Sequence, residues 1–150
     1  MRILLLLALS IFSQLAMGKS AFPRSYEDSI EVELRVGDSM EIGACPSPFF
    51  THLDLFRKTR WEGGEDAYDT ATGNGFYKSF FSSGDFNASE LPADFSKKHF
   101  VVMGMEVLSN KKTGEPMYIM YLKGSEPNTV IWVDFYEALD AGEIKVLPRS

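Results

Sequence analysis

FVVMGMEVLSNKKTGEPMYIMYL, residues 100–122, decides the fold class. Phe100–Leu108 and Met117–Leu122 are two short, almost unbroken apolar runs rich in Val, Ile, Met and Tyr. Each is too short for a typical helix, and neither shows strict alternation. That pattern predicts strands covered on both faces. Asn110–Gly114, NKKTG, lies between them with the chemistry of a hairpin loop.

Outward from this hairpin the pattern repeats. After the turn residues GSEPN (124–128), Val130–Phe135 reads as a further strand. Asp134 and Glu137 have the capping-box spacing, so a short helix YEALDA is expected, stopped by Gly142. Ile144 and Val146 form a last strand. Towards the N-terminus, Leu53 and Leu55 suggest a strand running towards Trp61, and residues 62–75 form a Gly-rich acidic loop. Phe76/Phe80 and Tyr77/Phe81 are spaced to share one face of a short helix. We expect that aromatic stripe to plug the open end of a barrel or sandwich. Ala88–Phe95 reads as a turn or one helical turn interrupted by Pro92.

Ile30, Val32, Leu34 and Val36 alternate with polar residues, and Met40, Ile42 and Ala44 alternate again after Gly37-Asp38. A two-residue hairpin at Gly37-Asp38 would aim these two apolar sets at opposite faces. The expected alternatives are a three-residue loop or a corner between sheets. Ser39 then lies outside, and Met40, Ile42 and Ala44 share a core with Val32, Leu34 and Val36. Residues 32–45 resemble the corner phrase of immunoglobulin-like domains over this strand pair alone, without the family's second cysteine. The fold class is mainly β with minor helix. We expect a small sandwich or partly closed barrel of about six to eight strands and one or two short helices.

The first residues carry a different signal. Arg2 precedes an apolar stretch, Ile3–Phe12, and small residues follow at Ala16 and Gly18. This is the order of a secretory signal peptide cut after Gly18, and the apolar run is shorter than a membrane span. The expected organisation is a signal peptide at 1–18, a polar lead-in at 19–29 and a single β-rich domain at 30–147. The destination is exported, periplasmic or secreted. No membrane insertion is expected after cleavage. A formal charge of −6 with no extended basic run argues against nucleic acid as partner. Cys45 is the sole cysteine, so an internal disulfide cannot form, while a disulfide-linked dimer through it can.

Three chemistries compete for Gly37-Asp38-Ser39-Met40. Gly-Asp-Ser resembles the nucleophile block of the GDSL hydrolases, but their Asp-x-x-His pair has no counterpart after His99, the last histidine. Gly-Asp-Ser-Met is similar to the block of self-cleaving repressors and signal-peptidase-like proteases, which pair Ser with Lys. Lys78 is the available lysine, on the wet side of its helix. A strand ending in Val-Gly-Asp also resembles cupredoxin-type copper proteins, whose Cys–His cluster is absent here. Glu62, Glu65, Asp66 and Asp69 offer oxygen ligands for calcium, though not in EF-hand order. No catalytic residue, metal or cofactor is assigned.

The sequence therefore points to a small non-catalytic binding domain of inhibitor or partner-recognition type, with a protein or glycan partner. The candidate contact residues are Phe49, Phe50, His52, Trp61, Glu65, Asp66 and Tyr68. They combine a Pro46–His52 loop with the acidic loop. The alternative is a hydrolase of unfamiliar type, using Ser39 with a lysine or a pair of carboxylates. Asn87-Ala88-Ser89 is an N-glycosylation sequon, read only in a eukaryotic secretory route.

Overall fold

In the computed structural model, residues 34–82 and 84–147 are described. The signal segment at 1–18, the lead-in at 19–29 and the first four residues of the expected strand Ile30–Val36 lie outside that range. The described chain is mainly β, as expected. Seven antiparallel strands form one curled half-barrel sheet accompanied by two short helices. In chain order these are β1 (Ser39–Ile42), β2 (Phe49–Lys58), α1 (Phe76–Phe81), β3 (Phe86–Pro92), β4 (His99–Ser109), β5 (Pro116–Lys123), β6 (Thr129–Asp134), α2 (Phe135–Asp140) and β7 (Ile144–Val146). Across the sheet the order is β3-β2-β6-β5-β4-β1-β7.

The two faces explain the unbroken apolar runs. Met40, Phe50, Leu91, Phe100, Leu122, Ile131 and Ile144, one from each strand, join a single buried cluster, so that face is the inside of the curl. Met103, Ile119, Tyr121 and Val130 point the other way and pack under Phe76 and Phe80. In β4 the pairing shifts between Val102 and Gly104, so Met103 is an extra residue that reverses the alternation. Both faces of β5 and of the middle of β4 are thus covered, by different partners, whereas Val101 and Val107 nearer the ends of β4 are exposed, against expectation.

Helix α1 departs from its expected place. It lies flat on the outer face instead of plugging the end of the curl, with Phe76 and Phe80 fully buried beneath it. Removing two phenylalanine side chains from water contributes about 2–3 kcal/mol each, which fastens this short helix to the sheet. The helix that enters the inner cluster is α2, through Phe135 and Ala138. Its capping box does not form, because Asp134 makes no side-chain cap. Instead, Trp132 Nε1–H donates to the Asp134 carboxylate at 3.4 Å. Gly142, at φ +72°, ends the helix as expected.

Gly37-Asp38 does not close a hairpin onto β1, whose two edges are taken by other strands, and the corner alternative turns on residues 30–33, which lie outside the described range. Arg35–Asp38 is a turn closed by the Asp38 N–H donating to the Arg35 carbonyl at 3.0 Å, with Gly37 at φ +95° in the third position. The turn leads into β1, which pairs with β4 on one side and β7 on the other. Leu34 does share the inner cluster with Met40 and Ile42, and Ser39 is exposed. Ala44 is exposed, against expectation. Val36 is only half-buried and turns towards Gly73 of the outer loop.

Two further corrections concern β2 and β3. The aromatic pair expected in a loop begins β2, and the turn expected at Ala88 is most of β3, with a single 3-10 turn only at Ala93–Phe95. Between Phe49 and Asp54 the β2–β3 register shifts, which takes the Thr51 and His52 amides out of the ladder. The buried Glu143 carboxylate accepts both, at 2.8 and 2.9 Å. This carboxylate clasp ties the start of β2 to the chain just before β7, across the mouth of the half-barrel.

Candidate functional site

Beyond β2 the chain crosses the outer face and encloses a cleft of about 220 Å³ against the β5–β6 turn. Its apolar lining is Trp61, Met103 and Pro127, and its rim carries Glu65 and Lys123. The Trp61 ring is fixed from three sides. Its Nε1–H donates to the Ser79 carbonyl at 3.2 Å, Tyr68 stacks on it at 5.8 Å, and Phe80 meets it edge-on at 5.3 Å. Across the rim the Lys123 ammonium donates to Glu65 Oε1 at 2.7 Å, both side chains being more than half exposed.

The far wall is set by the β5–β6 turn. Asn128 adopts φ +59°, and the Thr129 hydroxyl donates to the Glu126 carbonyl at 2.6 Å. Gly124 is required there, since a Cβ would lie 1.9 Å from Thr129 Oγ1. The cleft is smaller than most cofactor sites and suits one large apolar side chain, with a charged pair at its edge for orientation. A wider depression of about 500 Å³ beside it is lined by Lys58, Thr59, Arg60, Glu62, Gly84 and Asp85. The ammonium of Lys58 is directed into the fold there, donating to the Phe80 carbonyl at 2.6 Å.

The sequence candidates divide into two groups. Trp61 and Glu65 line the cleft, Tyr68 backs it, and Asp66 sits exposed on the 3-10 turn Gly64–Ala67 outside the lining. Phe49, Phe50 and His52 lie at the other end of β2, a strand whose ten residues span roughly 30 Å. Phe49 is 48% exposed, but Phe50 is 1% exposed and belongs to the inner core. The two loops therefore do not meet in one surface. Met103, Lys123 and Pro127 were not candidates, because each reads locally as strand or turn material. Only the fold brings them to Trp61.

The outer face also carries an acidic strip. Asp54 stands opposite Glu90 on β3 and opposite Trp132 on β6, with Asp134 two residues further along β6. Burial raises the pKa of Asp54, and the charges of Asp134 and Glu90 raise it further. Burial likewise raises Asp134. The Trp132 hydrogen bond lowers it, Glu137 raises it, and His52 lowers it. On β4, Glu106 is raised by burial and accepts the Tyr77 N–H at 3.4 Å. Tyr121, between these groups and α1, is pushed up by burial first and then by Glu106. Its hydroxyl is fully buried and has no hydrogen-bond partner among the described residues.

The remaining chemistry candidates are placed as follows. Ser39 stands on β1 opposite Val101, and no hydrogen bond joins it to a lysine or histidine among the described residues. Cys45 is half-buried against the inner core, its thiol donating to the Ser47 carbonyl at 3.0 Å. The acidic loop does not converge on one point: Glu65 pairs with Lys123, and Asp69 accepts the Ala71 N–H at 2.9 Å. Among the described residues no group of three or more His, Cys, Asp or Glu is arranged to hold a metal ion. No helix among them is long and apolar enough to cross a membrane.

Compared with known proteins, the chain matches no family, no curated protein and no solved structure.

Proposed function

We propose that the chain is an exported, non-catalytic recognition domain that takes one apolar side chain of a protein partner into the Trp61 cleft. The observation that carries this reading is the cleft itself, an indole locked in place beside Met103 and Pro127 under the Glu65–Lys123 pair. Such a rigid aromatic wall binds at low conformational cost, and the charged rim orients the partner. Export rests on Arg2, the apolar Ile3–Phe12 stretch and the small residues Ala16 and Gly18. Sequencing the N-terminus of the natural protein tests it, with Lys19 expected first.

Capture of partners from the native compartment tests the cleft. Pro127→Trp, which fills it, and Lys123→Glu, which reverses its rim, are each expected to lose a partner that the unaltered protein retains. If both variants hold every partner with unchanged affinity, the cleft is not the site. One arrangement favours a second reading, hydrolysis by a carboxylate pair. Asp54 and Asp134 are diagonal neighbours on adjacent strands, and burial raises the pKa of both, the direction a general acid needs. Turnover of glycoside substrates that Asp54→Asn abolishes would establish it.

A further inference from the structure

Strand β3 ends the sheet, and its outer side pairs with no strand among the described residues. Phe86, Asn87, Ala88, Ser89 and Glu90 are all exposed. None of their backbone groups hydrogen-bonds outside the ladder with β2 among the described residues. Natural edges are usually guarded by lysine, proline or a covering element. This one has no lysine, and its proline comes only at Pro92.

The side chains beside the edge say what would fit it. Phe86, Ala88 and Glu90 share the outer face with their β2 partners Lys58, Phe56 and Asp54. At one end Phe86 packs against Phe56 and Phe81, at 5.6 Å each, and is 40% exposed. At the other end Glu90 and Asp54 stand side by side, and neither makes an ion pair or hydrogen bond among the described residues. The edge thus offers backbone pairing with an apolar contact at one end and an unmatched negative charge at the other.

We propose that the Phe86–Glu90 edge is a strand-addition site for an extended, basic segment of a partner protein. The segment runs antiparallel to β3, with a Lys or Arg facing Glu90 and an apolar side chain facing Phe86. The arrangement disfavours a second copy of this chain as the occupant. Two β3 strands paired about a twofold at Ala88 would set Phe86 against Glu90, and a twofold at Ser89 would set Ala88 against Glu90. Neither supplies a cation, and two chains of formal charge −6 repel. This site is separate from the Trp61 cleft and does not depend on it.

Two fluorescein-labelled peptides, Thr-Lys-Thr-Val-Thr-Ile-Thr and the same sequence with Glu in place of Lys, test the proposal by anisotropy against the purified protein. The Lys peptide should bind about fivefold more tightly, as expected for exchanging an opposed charge for a like one across a strand pair. Glu90→Lys, a change at an exposed position, should reverse that preference. Hydrogen exchange should show new protection at residues 86–90, and Lys123→Glu should leave peptide binding intact. Equal affinities, no binding by either peptide, or protection at Trp61 and residues 124–129 instead would overturn the proposal. So would protection of residues 86–90 that rises with protein concentration alone, which would identify a second copy as the occupant.

Discussion

Glu143→Ala should cost this protein about 2–3 kcal/mol, and the figure follows from two amides. The Glu143 carboxylate accepts the Thr51 and His52 N–H groups at 2.8 and 2.9 Å, within a buried side chain. A hydrogen bond to a charged group is worth about 1.5–3 kcal/mol. Thr51 is exposed, so water replaces much of its bond, whereas half-buried His52 loses more. Glu143→Gln keeps one good acceptor and should cost about 1 kcal/mol.

Urea unfolding measures both variants, and a melting curve should fall by about 4 °C per kcal/mol for a domain of this size. Hydrogen exchange supplies the specific readout: the Thr51 and His52 amides should lose protection while the β4–β5 hairpin keeps its own. If Glu143→Ala costs less than about 0.5 kcal/mol, or those two amides exchange no faster, the clasp does not close the half-barrel.

Tyr121→Phe removes a buried hydroxyl that has no partner among the described residues, so stability should hold or rise by about 1 kcal/mol, and a loss of that size in urea unfolding would contradict it. Asp54 has its pKa raised, so its contribution to stability is complete at low pH and is lost as pH rises through its folded value. Asp54→Asn should therefore stabilise the protein at neutral pH and flatten the loss of stability that sets in as pH rises above the ordinary carboxylate value, checked by urea midpoints from acid to neutral pH. Gly43→Ala would place a Cβ 2.0 Å from the Gly142 carbonyl oxygen, and should cost about 3 kcal/mol or prevent soluble expression.

The elements legible in the sequence were those whose burial leaves a pattern. The runs of β4, β5 and β6 were visible because two separate clusters cover them, and the five-residue loop Asn110–Gly114 has the chemistry it shows in the fold. Asn110 Oδ1 accepts the amides of Lys112 and Thr113 there. Strand β3 was not legible, since its first five residues are exposed and an edge strand without burial has no apolar period to read. Phe50 was misplaced because the register shift after Phe49 hides its alternation with Leu53. In the cleft, Trp61 and Glu65 stood out as an aromatic beside an acidic loop. Met103, Lys123 and Pro127 carried no local signal, because their meeting is a product of sheet curvature.

The position of β1 between β4 and β7 has a consequence for when the fold can form. Met40 pairs with Val146, so the first described strand waits for roughly a hundred further residues before its second edge is filled. The β4–β5–β6 meander needs only short loops and can assemble early. Closure by Glu143 and β7 waits until the other six strands have been made. A nascent chain of this topology keeps one edge of β1 and the Thr51 and His52 amides of β2 without their partners until residues 143–146 are made. Until then the half-barrel lacks both its carboxylate clasp and its β7 edge.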